Sequence, residues 1–129
     1  MGFPLRVLIV EDSPDDEKLV LRQLHKAGYD VESVRVDTGD AMRRELGLRE
    51  WDVVISDFNM PLFNGLEAIK VAQENGSTAP FILVSGTVGE ELAVAAMKAG
   101  ASDYLMKDKL MRLGPSVERE LAQAKVRAE

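Results

Sequence analysis

The chain has no cysteine, so neither a disulfide framework nor a thiolate-held metal is open to it, and zinc-finger and thiol-redox chemistry drop out. Basic residues are in the minority, with 16 Lys and Arg against 22 Asp and Glu and a formal net charge of −6. Nucleic-acid surfaces work chiefly through clustered Lys and Arg, so direct nucleic-acid binding is not expected. No apolar run approaches the roughly 20 residues that cross a bilayer, and the first residues lack a basic start followed by an apolar stretch. A membrane partner is therefore not expected, and a cytoplasmic location is. No glycine-rich phosphate loop of the Walker form occurs, which leaves nucleotide hydrolysis without a basis. The single histidine, His25, lacks the local pattern of a phosphohistidine site and reads as a helix-surface residue.

What is present is the composition of a globular protein, 46% hydrophobic and 29% charged over 129 residues. That is too apolar for a disordered chain and too short for two sizeable cores. One domain is expected over residues 1–129, with its core at about 5–121 and a C-terminal helix at about 115–128.

Val7-Leu8-Ile9-Val10 is a continuous apolar run, which suits a strand covered on both faces, and a first strand is predicted from Arg6 to Val10. Ser13 follows as an N-cap, Pro14 as the first helical residue, and Asp15, Asp16 and Glu17 as acids favoured by the helix dipole. Val20, Leu24 and Ala27 recur at helical spacing, and Gly28 is the expected left-handed stop. The cycle repeats with strands at Val31–Val36, Asp52–Ser56, Phe81–Val84 and Asp103–Met106. Helices are predicted at Gly39–Leu48, Gly65–Gln73 and Glu90–Ala99, followed by a final one with Leu113, Val117, Leu121, Ala124 and Ala128 on one stripe. Five strands alternating with five helices through short loops predict an α/β fold, a parallel sheet with helices on both faces. In such sheets ligands bind beyond the carboxyl ends of the strands.

Those ends carry the chemistry. Glu11 and Asp12 follow the first strand, Asp57 the third, Ser85 the fourth and Lys107 the fifth. Three carboxylates packed together repel one another unless a cation intervenes. An oxygen-only set with room for water suits Mg²⁺, with Mn²⁺ as a substitute. Such an ion leaves positions for phosphate oxygens, while the Lys107 ammonium and the Ser85 hydroxyl can contact the others. Asp57, with metal on one side and a cation on the other, is the expected nucleophile, and Glu11 and Asp12 the metal holders. Singly, each acid is most simply a solvated loop residue or cap, Lys107 a surface snorkeller and Ser85 a turn residue. Their joint placement carries the inference.

The stretches Val7-Leu8-Ile9-Val10-Glu11-Asp12, Asp57-Phe58-Asn59-Met60-Pro61 with Asn64-Gly65, Leu83-Val84-Ser85-Gly86, and Gly100-Ala101-Ser102-Asp103-Tyr104-Leu105-Met106-Lys107 resemble the receiver domain of bacterial response regulators. The resemblance extends from Leu5 to about Leu121. It implies a flavodoxin-like, doubly wound (βα)5 fold with strand order 2-1-3-4-5. It further implies that a histidine kinase or phosphotransfer protein donates a phosphoryl group to Asp57, with Mg²⁺ on Glu11, Asp12, Asp57 and the backbone carbonyl of Asn59. The receiver catalyses this transfer to itself and turns over no separate substrate. In the family, Ser85 and Lys107 then contact the phosphate, and Tyr104 turns inward. The face of the fourth helix, fifth strand and fifth helix becomes the output surface, for an output partner, a fused effector or kinase domain, or a phosphorylation-dependent dimer. Asn59 and Thr87 occupy the positions that tune dephosphorylation.

Three departures from the family pattern stand out. Glu11 replaces the frequent Asp and lengthens one metal arm by a methylene. Ser85 replaces the frequent Thr. Asp108 stands where the family commonly has a cis-proline; a non-proline cis bond costs about 2.5–4 kcal/mol, so a trans peptide and an altered loop path are expected after Lys107. Two other readings compete. A Mg²⁺-dependent phosphohydrolase with an aspartyl nucleophile needs a general acid, commonly an Asp two residues later, where this chain has Asn59. A receiver-shaped binding module that is never phosphorylated draws support only from Asp108. Because Asn59 can hydrogen-bond water without deprotonating it, a phosphoryl group on Asp57 should persist for an ordinary signalling interval. Phosphate release from the phosphorylated protein measures this, and very rapid release would contradict it.

Overall fold

The computed structural model describes residues 2–86 and 89–128. It contains β1 (Phe3–Val10), α1 (Pro14–Lys26), β2 (Tyr29–Val36), α2 (Gly39–Leu48), β3 (Val53–Asp57), α3 (Gly65–Glu74), β4 (Phe81–Ser85), α4 (Glu90–Ala99), β5 (Asp103–Met106), a 3-10 segment (Lys107–Arg112) and α5 (Leu113–Ala128). All strand pairs are parallel, and the order is β2-β1-β3-β4-β5. The α/β, flavodoxin-like fold expected from the sequence is the one observed.

The central strands are buried on both faces because their side chains alternate between two apolar layers. Val7, Ile9, Val53, Ile55, Ile82, Val84 and Leu105 pack with Val20 and Leu24 of α1 and Leu113 and Val117 of α5. Leu8, Val10, Val54 and Leu83 pack on the opposite side with Met42 of α2, Ala68 and Ile69 of α3 and Ala96 of α4. Local signals set the helix starts. Ser13 Oγ accepts from the Asp16 N–H (3.2 Å) and Thr38 Oγ1 from the Ala41 N–H (3.1 Å). Asn64 and Glu67 form a reciprocal capping box at α3. Gly28, expected as a left-handed stop, has φ 95°.

Element boundaries differ from the sequence expectation by up to three residues, with β2 beginning at Tyr29 and not Val31. β1 begins at Phe3 and not Arg6, with Phe3–Leu5 paired to Tyr29–Val31 of β2; Phe3 is 77% exposed, whereas Leu5 is buried in the layer of α1 and α5. α5 begins at Leu113, directly after the 3-10 segment, so Pro115 is its third residue, where a missing N–H breaks no internal helix bond.

Register positions the site. Val10 pairs with Ser56, Asp57 with Val84, and Ser85 with Met106. Each strand therefore ends within a residue or so of its neighbour, and Glu11, Asp57, Ser85 and Lys107 emerge along one rim. Glu11 continues the alternation of Val7 and Ile9, and Asp57 that of Val53 and Ile55, so both lean toward α1 and α5.

Gly65 is tightly enclosed where α3 begins. A Cβ there would run into Leu83 Cδ2 and lie 3.0 Å from Phe58 Cα. Gly65→Ala should lower stability by about 1–3 kcal/mol, the usual range for overpacking. A lowered urea midpoint with an unchanged m-value is the expected result.

Candidate functional site

Carboxylate oxygens of Glu11, Asp12 and Asp57 lie within 4.8 Å of one another. Glu11 and Asp57 are each only 4% exposed, whereas Asp12 faces solvent. Burial is made tolerable by specific partners. The Ser13 N–H donates to Glu11 Oε1 (3.1 Å), and Arg35 Nη1 donates to the Glu11 backbone carbonyl (3.2 Å). The Asn59 N–H donates to Asp57 Oδ1 (3.2 Å), and Lys107 Nζ donates to Asp57 Oδ2 (3.2 Å). The Asn59 amide reaches Ser85 Oγ at 3.4 Å, linking the loop after β3 to the buried end of β4. Beneath the Lys107 ammonium, a cavity of about 120 Å³ is lined by Ile9, Val20, Ile55, Leu110 and the two buried acids.

From Lys107 the chain runs on as the 3-10 segment. Among the described residues every peptide bond is trans. Lys107 nevertheless reaches the acids, and besides Asp57 its ammonium meets Asp16 Oδ2 at 2.8 Å and Glu11 Oε2 at 3.7 Å. Burial works against its charge, but the bond to Asp16 and the charges of Glu11 and Asp57 outweigh it and hold its pKa above the usual lysine value. For Glu11 the shift works against the charged form. Burial first, then the charge of Asp57, push its pKa up to about 8 against the opposing Ser13 N–H and Lys107. Without a divalent cation, the single ammonium does not offset the crowding of acids.

Glu11, Asp12, Asp57, Asn59, Ser85 and Lys107 thus meet at one rim. Tyr104 lies apart from the carboxylates, half-buried on β5 against the α2–α4 layer, and His25 is exposed on α1. Thr87 lies outside the described residues. Asp16 was legible only as a dipole-favoured acid; its contact with Lys107 spans 91 positions, and no local pattern reports it.

The model of the response regulator receiver domain family matches residues 7–114. The chain belongs to that family. As a receiver domain it is a component of two-component signalling. It is 30% identical over 114 residues to a chemotaxis protein CheY homolog of Campylobacter jejuni, covering 80% of this chain and 81% of that protein. It is 34% identical over 112 residues to protein-glutamate methylesterase/protein-glutamine glutaminase 2 of Caulobacter vibrioides, covering 85% of this chain but only 32% of that longer relative. Among solved structures, the signal receiver domain of a signal transduction histidine kinase from Syntrophus aciditrophicus superposes with a TM-score of 0.76 at 31% identity, covering 92% and 91% of the two chains. Family membership implies a histidine kinase partner. The acidic cluster fits the Mg²⁺ that receivers use: its donors are all oxygen, and its charge is under-compensated. No helix among the described residues is long and apolar enough to cross a membrane.

Between pH 4.5, the ordinary Glu value, and about 8, the folded receiver binds the Glu11 proton more tightly than the unfolded chain does. In the absence of cation, stability should therefore fall as pH rises through that window. Glu11→Gln should flatten the slope and raise the stability of chelator-treated protein at pH 8 by on the order of 1–3 kcal/mol. Urea unfolding at pH 5 and pH 8 makes the comparison; an equal gain at both would contradict the assignment.

Proposed function

We propose that Asp57 is the phosphoacceptor of this receiver. The observation that carries the reading is its position, within 4.8 Å of the Glu11 and Asp12 carboxylates and 3.2 Å from the Lys107 ammonium. One Asp57 oxygen attacks the phosphorus of a phosphohistidine on a kinase or phosphotransfer protein. The new O–P bond makes an acyl phosphate as the P–N bond breaks, and the electron pair returns to the imidazole nitrogen. Glu11, Asp12, Asp57 and the Asn59 backbone carbonyl would hold Mg²⁺, or Mn²⁺ in its place. When bound, that ion supplies positive charge against the crowded carboxylates and the incoming phosphoryl oxygens.

Lys107 contributes the second positive charge, at Asp57 Oδ2. The Ser85 hydroxyl, already in contact with Asn59, is the donor on the β4 side. The acyl phosphate carries about two negative charges where the carboxylate carried one, which recruits these donors and shifts the population of two packings of the rim. Ser85 and Tyr104 are the switch residues, and α4, β5 and α5 the face that changes. Asn59 and Thr87 set how water approaches the acyl phosphate. The chain acts as one receiver domain, with its core at about 5–121, catalysing only its own phosphorylation and dephosphorylation in the cytoplasm. Its output goes to a separate partner, a fused domain or a second phosphorylated copy.

Incubation with acetyl phosphate and Mg²⁺ should add one phosphoryl group by intact mass. Asp57→Asn and chelation should each abolish the addition. A chain that stays unmodified while its kinase phosphorylates other receivers would instead be a receiver-shaped binding module.

A further inference from the structure

The Lys107 ammonium has three N–H donors and three carboxylates around it: Asp16 at 2.8 Å, Asp57 at 3.2 Å and Glu11 at 3.7 Å. Asp16 is the nearest, yet it is not in the group that gathers Glu11, Asp12 and Asp57 within 4.8 Å. It stands on the first turn of α1, where its own N–H is tied to the Ser13 cap, so the carboxylate projects from a fixed point. Its side chain is 34% exposed, against 3% for Asp57 and 5% for Glu11. Without this outer partner the ammonium, on a side chain 28% exposed, would be shared between water and the two buried acids. At those acids it would neutralise the charge that a divalent cation needs.

We propose that Asp16 is a positioning residue that draws the Lys107 ammonium toward α1, leaving the Glu11–Asp12–Asp57 cluster available to a divalent cation while keeping the ammonium within reach of Asp57 Oδ2. This deepens the proposed function and rests on it. Asp16 acts through Lys107 and touches neither the cation nor the phosphoryl group. Its contact also fastens α1 to the 3-10 segment, so the same carboxylate fixes where Lys107 stands when a phosphoryl oxygen arrives.

The test is a double-mutant cycle read by calorimetric titration of Mg²⁺ into the metal-free protein. Asp16→Asn should weaken Mg²⁺ binding about two- to fivefold, the scale of a partly exposed ion pair. Asp16→Glu should restore most of it. In the Lys107→Met background, which keeps the apolar stem, Asp16→Asn should have no effect. Equal weakening in both backgrounds would make Asp16 a direct contributor to the cation and overturn the proposal, as would unchanged affinity in Asp16→Asn. A second readout needs no cation: the side-chain ¹³Cε and ¹⁵Nζ resonances of Lys107, assigned by their loss in Lys107→Met, should move in metal-free Asp16→Asn and hold in Asp16→Glu. If no variant bound Mg²⁺, the phosphoacceptor reading would fail, and these resonances would still decide whether Asp16 holds the ammonium; unmoved resonances would reject it.

Discussion

Crowding of negative charge at the end of a parallel sheet is the constraint on which the rest of this receiver turns. Three carboxylates within 4.8 Å are unfavourable in any folded protein unless the backbone that presents them is held by something else. Here two apolar layers on β1, β3 and β4 supply that hold. The strands are buried on both faces, and their register leaves little freedom in where Glu11 and Asp57 emerge. The stability of the core is in effect used to keep a strained electrostatic arrangement ready for a cation.

One ammonium answers that crowding within the chain. Lys107 arrives from the edge strand and is shared among Asp16, Asp57 and Glu11, so the site is linked to the first helix and to the segment leading into the last. The far end of the same edge strand is anchored separately. Asp103 accepts from Ser116 Oγ and from Arg119 Nη2, and Arg119 in turn pairs with the buried Glu120. β5 is thus tied to α5 at its start and to the acidic rim just beyond its end, with Tyr104 between the two ties. The Lys107 ion pair thus joins Asp57 to the end of β5, beside α4, where Val94 and Met97 are about half exposed.

How much of this was legible in the sequence follows from which forces are local. The run Val7–Val10, the Ser13 cap with Pro14, and the stop at Gly28 each depend on a few neighbouring residues, and those elements stand where the pattern put them. The start of β1 at Phe3 was hidden because Phe3 and Pro4 are exposed and recruited by pairing with β2, so that of the added residues Leu5 alone is buried. The 3-10 segment before α5 was hidden for a similar reason, since none of its residues is buried. Glu11, Asp12, Asp57, Ser85 and Lys107 could be named because a strand end is a local feature and the family pattern joined them.

By itself, the amino-acid order determined the alternation of strand and helix, the two-sided burial of the central strands and the chemical types waiting at their ends, since periodicity and capping are written in adjacent residues. Only tertiary structure decided that Lys107 divides its charge among three acids, that Asp16 is the nearest of them, and that Glu11 is held closer to its neutral form. Those outcomes depend on distances between residues as many as 96 positions apart and on the exclusion of water. Both are properties of the packed chain, and no short stretch of it contains them.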